Sequence, residues 1–217
     1  MSTPLHIDFV SDVSCPWCAI GLAALEQALH ALEGEVQAEL RFQPFELNPQ
    51  MPAGGQDITE HLTQKYGSTS EQQAQSREAI RQRGESLGFT FRKEGRGRIY
   101  NTFNAHRLLH WAELQDAAKQ HALKKALLRT YFTDGKSPAD KDVLVAAATA
   151  AGLDGGEARR ILDGDDYAAE VREREQFYLN SGIHAVPAVI INGRHLIQGG
   201  QPTEVFAQAL RQIAQAA

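Results

Sequence analysis

The two cysteines of this 217-residue chain, Cys15 and Cys18, flank Pro16-Trp17 at the point where an alternating run, Leu5 to Val13, gives way to helix-like sequence. Thiols two residues apart at a strand-to-helix turn can cycle between dithiol and disulfide: one sulfur attacks a substrate disulfide and its neighbour resolves the mixed disulfide. Cys15 is the candidate nucleophile, because the free N–H groups and positive dipole end of a helix lower the pKa of a thiol placed there. Such a nucleophile should be exposed. Cys18, one turn inward, is the candidate resolving thiol. Pro16 fits the first helical turn, where no backbone donor is needed, and Trp17 offers an amphipathic surface beside the reactive sulfur. The alternatives are cysteines that merely fill space, or zinc ligands. Zinc needs two further ligands. No second C-x-x-C and no H-x3–5-H pair is tied to the motif by spacing, and His106 and His110, one helical turn apart, stand in a distant part of the chain. No metal is expected.

The elements that must hold these residues follow from periodicity. Leu5, Ile7, Phe9 and Val13 alternate as one face of a strand, with Asp8 and Asp12 on its polar side. Leu22, Leu25, Leu29 and Leu32 then recur at helical spacing up to Gly34, and Val36 to Phe42 alternates again, closing a β-α-β unit. From about Asn48 to Gly182 the pattern is helical, with segments expected near 57–66, 70–87, 100–115, 117–132, 138–151, 155–163 and 165–181. Ser137 with Pro138 reads as the start of one of these helices, and Asp154 and Asp165 as caps of the next two. Ala188-Val189-Ile190-Ile191 and His195-Leu196-Ile197-Gln198 read as strands joined by an Asn192-Gly193 type I′ turn. A final helix presents Val205, Phe206, Ala209, Leu210 and Ile213 inward.

Charge narrows the partners. With 22 Lys+Arg against 27 Asp+Glu the net charge is −5, which supplies no positive field for nucleic acid. The basic cluster Arg92-Lys93, Arg96 and Arg98 reads as a solvated loop, with reception of an anionic ligand as the alternative. No run approaches the roughly 18 consecutive apolar residues of a membrane span. The amino terminus reads as lacking an export signal, so a cytoplasmic location is expected. There a structural disulfide is disfavoured and a catalytic pair favoured.

Together these features resemble the thioredoxin-fold disulfide oxidoreductases of the DsbA family: a strand ending in Cys15-Pro16-Trp17-Cys18, a helical insertion, and Val186-Pro187 opening a hairpin and last helix. Pro44-Phe45-Glu46-Leu47-Asn48-Pro49, Asn101-Thr102-Phe103-Asn104-Ala105-His106-Arg107, and Ile191-Asn192-Gly193 followed by Gly199-Gly200-Gln201-Pro202 resemble its cytoplasmic FrnE-like branch, related to 2-hydroxychromene-2-carboxylate isomerase. The resemblance spans essentially the whole chain. It implies an α/β fold, a thioredoxin-like domain over 1–49 and 183–217 with an all-helical insertion over 50–182. It further implies a cis Val186–Pro187 bond beside the disulfide, where extended substrate pairs, the alternative being an ordinary trans proline. Pro16 and Trp17 would set how oxidising the pair is, and the histidine of the most oxidising members is absent, implying a milder potential. Asp12, or Asp8, would accept the Cys18 proton from beneath, with a solvated or capping carboxylate as the alternative. Asn48 and Gly200-Gln201 are carried over as glutathione-holding positions, and His106 as a substrate-facing residue across a cleft, with a core-edge position as the alternative. His184 could reach the site, a plain loop histidine being the alternative.

The implied activity is thiol–disulfide exchange with protein or glutathione disulfides. A glutathione-dependent isomerase or transferase of the 2-hydroxychromene-2-carboxylate isomerase or kappa type is the alternative; those relatives usually carry serine at the first cysteine position. A binding protein or chaperone is the third reading. No tightly bound cofactor is expected, glutathione being a candidate co-substrate, and the chain is read as a monomer or homodimer.

Overall fold

β1 (Leu5–Ser11) buries Leu5, Ile7 and Phe9 as the alternation requires and becomes an inner strand of a mixed sheet. In the computed structural model, which describes residues 4–52 and 54–216, β1 runs parallel to β2 (Ala38–Pro44) and antiparallel to β5 (Ala188–Ile191), which pairs with β6 (His195–Gln198). The strand order is β2-β1-β5-β6, and Phe9 stands opposite both Phe42 and Val189. The strand stops at Ser11 and not at Val13. Asp12 Oδ1 accepts from the Ser14 amide at 3.0 Å, a local turn that takes the backbone out of the ladder. Val13 consequently packs with the helices instead of the sheet.

α1 (Pro16–Ala31) has proline in its first turn and buries Leu22, Ala24, Leu25 and Ala28. It ends three residues before Gly34, which adopts φ +87 in the turn that follows. The next segments are α2 (Ile58–Tyr66), α3 (Ser70–Ser86), α4 (Phe103–Gln115), α5 (Ala117–Phe132), α6 (Lys141–Ala150), α7 (Gly155–Asp163) and α8 (Ala168–Asn180). A pair of two-residue strands, β3 (Gln56–Asp57) and β4 (Arg98–Ile99), was not expected from the sequence; two residues are too few for alternation to register. Helix starts depart from expectation where a better cap lies downstream. Asp140, not Ser137, caps α6 by accepting from the Asp142 and Val143 amides. Asp165 caps nothing with its side chain, because Tyr167 at φ 62 intervenes before α8, whereas Asp154 caps α7 as expected. Asn192 and Gly193 both take positive φ, as a type I′ turn demands. α9 (Thr203–Ala216) buries Phe206 and Leu210 but leaves Val205 exposed.

One apolar cluster joins β1, α1, β5 and α9 to Leu128, Tyr131 and Phe132 of α5. The core of the thioredoxin-like ends therefore continues into the 50–182 segment. Gln120 secures this junction: its amide accepts from Phe42 N at 3.0 Å and donates to Phe42 O at 2.9 Å, occupying the free edge of β2.

Candidate active site

The turn after β1 and the first turn of α1 place both sulfurs. Cys15 is the N-cap residue, with no side-chain cap bond of its own, and Cys18 follows inside the helix. Both are free thiols. Cys15 is only 4% exposed, contrary to the expectation of an open nucleophile, yet it lines a cavity of ≈ 670 Å³. Cys18 is fully buried. The Cys15 thiol donates to Val186 O at 3.7 Å, and the Val186–Pro187 peptide is cis. Gly21 allows this loop to close on the helix, since a Cβ there would lie 3.0 Å from Pro187 Cγ and 3.4 Å from Gly200 Cα.

The two thiols titrate in opposite directions. The Cys15 thiol is held below its ordinary value, chiefly by a hydrogen bond from Cys18, against the effect of burial and with help from the Cys18 and Trp17 amides. Cys18 is pushed well up, first by burial and then by its role as donor to Cys15. Cys15 is thus the more readily ionised thiol and Cys18 the one that keeps its proton longer.

Beneath Cys18 lies a sealed polar group. Asp12 is 0% exposed, and its carboxylate accepts from Ser14 N at 3.0 Å, Ser14 Oγ at 3.0 Å and Leu47 N at 2.8 Å. It caps the turn from a buried position. Burial pushes its pKa up, but the His106 imidazole and the Leu47 and Ser14 amides outweigh that and leave it lowered. His106 Nε2 stands 3.7 Å from Asp12 Oδ1, too long for a hydrogen bond, and has no other polar partner. His106 is 2% exposed and does not line the cavity, which corrects its assignment as a substrate-facing residue: α4 turns it into the core against Asp12. Lys124 of α5 is also 0% exposed, and its Nζ has no hydrogen-bond partner among the described residues. Burial holds its pKa down while Cys18, Asp12 and Cys15 pull it back up. The sequence reading missed Lys124. Its signal was there: Gln120, Lys124, Leu127, Leu128 and Tyr131 recur at helical spacing as the buried stripe of α5, with a lysine inside it.

The other expected positions divide. Pro16, Trp17, Asn48, His184 and Val186 line the cavity, Trp17 at 45% exposure. Asn48 Oδ1 is taken by Lys65 Nζ at 2.8 Å. Gly200 and Gln201 are away from the cavity: a Cβ at Gly200 would lie 3.1 Å from Trp17 O, so this glycine serves close packing on α1, and Gln201 Nε2 donates to Gln198 O at 2.7 Å. Asp8 accepts from Gln43 Nε2 at 2.6 Å on the sheet, remote from the sulfurs' turn. His110 packs against Tyr167, 5.4 Å between ring centroids, and does not join His106 in a site. Arg107, within the Asn101–Arg107 motif, is structural: it donates to the carbonyls of Ile161, Gly164 and Asp166 and ties α4 to α7 and the loop after it.

A parallel-antiparallel sheet, a dithiol at the start of the first helix and a cis-proline loop beside it define a thioredoxin-like, DsbA-type fold built for thiol chemistry. Residues 6–211 match the DSBA-like thioredoxin domain, and the chain belongs to that family. A probable DsbA oxidoreductase from Streptomyces coelicolor is 34% identical, with a TM-score of 0.88 over 98% of this chain and 90% of its own. The uncharacterized protein YwbO of Bacillus subtilis is 28% identical over 207 residues, 95% of this chain and 96% of that protein. At the level of fold alone, the cytosolic disulfide reductase DsbM from Pseudomonas aeruginosa superposes with a TM-score of 0.69 at 17% identity, covering 98% of this chain and 100% of its own. For 2-hydroxychromene-2-carboxylate isomerase the values are 0.66 and 14%, with 98% and 99% covered. No helix among the described residues is long and apolar enough to cross a membrane.

Proposed function

We propose that this protein is a thiol–disulfide oxidoreductase that exchanges disulfides with protein or glutathione substrates in the cytoplasm through Cys15 and Cys18. The observation that carries the reading is the placement of two sulfurs in one motif: Cys15 at the helix N-cap borders the cavity and lies 3.7 Å from Val186 O of the cis-proline loop, and Cys18 is sealed one turn further in. The Cys15 thiolate attacks one sulfur of the substrate disulfide; that bond breaks, the departing thiolate takes a proton from water, and a mixed disulfide forms at Cys15. Cys18 must then lose its proton before it can attack Cys15 Sγ. Asp12, held in its ionised form and already accepting three hydrogen bonds, is a weak base for this step. The buried Lys124 amine, its pKa held down by burial and drawn back up by Cys18, is the other candidate base. Attack by Cys18 expels the second substrate thiol and leaves a Cys15–Cys18 disulfide, two electrons having passed from the protein to the substrate. A cellular dithiol or glutathione restores the reduced pair.

The reading is supported by membership of the family and by the fold shared with DsbM, a cytosolic disulfide reductase also solved with GSH. A glutathione-dependent isomerase is favoured by one observation, a cavity large enough for a small organic substrate beside the first cysteine. Insulin reduction and refolding of a scrambled disulfide substrate separate the two. Oxidoreductase chemistry predicts that Cys15→Ser abolishes turnover and that Cys18→Ser accumulates a mixed disulfide at Cys15. Glutathione-dependent isomerisation that survives Cys18→Ser, without disulfide turnover in the wild type, would contradict it.

A further inference from the structure

The cavity beside Cys15 carries a charge bias opposite to that of the molecule. The chain as a whole is at −5, yet the cavity is lined by five permanently cationic side chains, Lys65, Arg77, Arg81, Arg92 and Arg96, and by one carboxylate, Glu46. Glu46 is already met by Arg172 from outside the cavity. Arg81 is engaged by Glu78 and Glu85, and Arg92 by Glu94. Lys65, Arg77 and Arg96 have no ion-pair partner among the described residues. Lys65 donates to Leu47 O and Asn48 Oδ1, and Arg96 donates to Ser14 O at 2.9 Å, immediately before Cys15, so these two charges are anchored around the reactive turn without being neutralised.

Arg77 reaches the cavity past Gly95, which takes φ +72. A Cβ at Gly95 would lie 2.5 Å from Arg77 Cδ, so the stem of Arg77 crosses the loop where a side chain is missing. The walls below are apolar. Phe91 packs 5.2 Å from Phe132, ring centroid to centroid, and the Arg96 guanidinium stands 5.7 Å above the Phe132 ring. Cations, aromatic rings and the Cys15 sulfur in one lining fit a ligand that is anionic, apolar in its body and sulfur-bearing at its reactive end. A volume of ≈ 670 Å³ is in the range of small-molecule sites.

We propose that the cavity between α2, α3 and the Arg92–Arg96 loop selects a small, apolar-bodied anionic disulfide and presents it to Cys15. The assignment rests on the dithiol chemistry argued above. The Cys15 thiolate attacks one sulfur of the ligand and displaces the anionic half as its thiolate; the Cys18 thiol, giving up its proton to the buried base, then displaces the other half and closes the protein disulfide. Two electrons pass from the protein dithiol to the ligand, so a single turnover of reduced protein needs no further reductant.

The test is stopped-flow oxidation of the fully reduced chain by three disulfides: the aromatic dianion 5,5′-dithiobis(2-nitrobenzoate), the neutral aromatic 4,4′-dithiodipyridine, and the non-aromatic dianion dithiodiglycolate. Each rate is divided by that of the same disulfide with dithiothreitol, which removes intrinsic reactivity. The normalised rate for the aromatic dianion should exceed each of the others by about tenfold at low salt, and its lead over the neutral disulfide should shrink several-fold near 0.5 M salt as the lining charges are screened. Arg77→Glu should lower the ratio of the aromatic dianion to the neutral disulfide by about fivefold or more. Equal normalised rates, or a ratio that neither salt nor Arg77→Glu changes, would overturn the proposal. A dianion without the aromatic body that reacts as fast as the one with it would overturn the apolar part. Failure of the dithiol reading is distinguishable, because the wild type would then not turn over insulin, whatever the order of the three normalised rates. Binding of 8-anilinonaphthalene-1-sulfonate to the Cys15→Ser/Cys18→Ser chain gives an independent readout: fluorescence enhancement weakened by Arg77→Glu is expected, and enhancement indifferent to it counts against the site.

Discussion

The surroundings of Cys15 and of Cys18 differ more than two positions in one helical turn would suggest. Cys15 borders a wide cavity with cationic lining, and its pKa is held down by hydrogen bonding from its neighbour. Cys18 sits on the opposite side of that turn, in the same sealed interior as Asp12 and Lys124, all three at 0% exposure. The contrast teaches that the division of labour comes less from the motif than from what is packed on either side of it. One side is open to ligand, and the other holds buried polar groups that can manage a proton without water.

The strongest way to break the contrast is to remove the cavity-side sulfur. Cys15→Ser should reduce disulfide reduction to the uncatalysed background, while Cys18→Ser should still be attacked once per chain and hold its substrate, visible as a covalent adduct by intact-mass spectrometry. On the sealed side, Lys124→Met should slow the resolution step by about 100-fold, in the range expected for removal of a general base, and lengthen the life of the mixed disulfide. It should at the same time raise the melting temperature, because an unpartnered buried amine is replaced by an apolar chain of similar length. A change with opposite signs in rate and stability separates a proton-handling role from a merely structural one. The pH dependence has a definite sign as well. Lys124 is lowered in the folded chain, so folding releases its proton between that lowered value and the ordinary one; stability should rise with pH through this window in the wild type and lose that slope in Lys124→Met.

Asp12→Asn should have a smaller effect, about 1–3 kcal/mol of stability from the disturbed bonds to Ser14 and Leu47, measured by urea unfolding. Since Asp12 is lowered when folded, its contribution is present above the ordinary carboxylate range and is lost as pH falls through the folded value; the Asn variant should lack that acid-limb slope. It should also lower the Cys15 pKa further by removing a nearby negative charge. Smallest is Gly21→Ala, which brings a methyl group 3.0 Å from Pro187 Cγ and should destabilise the chain by about 1 kcal/mol through the shift of the Val186–Pro187 loop.

Much of this organisation is legible in the chain itself. Period-two alternation pointed to β1 and β2, the apolar run and Asn192-Gly193 turn to β5 and β6, and Cys15-Pro16 to the start of α1, because these signals are local. The motif also led to Cys15 at the helix start and Cys18 one turn inward, the places they occupy. Positions that depend on packing between distant elements were read less well. His106 was placed toward substrate because its helical neighbours allow a cleft face, and only the approach of α4 to the Asp12 turn decides that it points inward. Gly200-Gln201 precede a helix, yet Gly200 packs on Trp17 and Gln201 bonds Gln198 O. The low exposure of Cys15 and the cationic lining of the cavity arise from α2, α3 and the Arg92–Arg96 loop folding over a motif about 50 to 80 residues earlier, which no local spacing records. Lys124 is the intermediate case: its place in a buried stripe was written in the sequence of α5, but its neighbour Cys18 was not.

The measurement that bears most directly on the account is the alkylation rate of each cysteine in the reduced protein, followed from acid to alkaline pH with iodoacetamide and assigned by peptide mass spectrometry. The account predicts modification of Cys15 with a midpoint below that of an ordinary thiol, and protection of Cys18 across the same range. Two cysteines that react alike, or a Cys15 with an ordinary thiol midpoint, would contradict it.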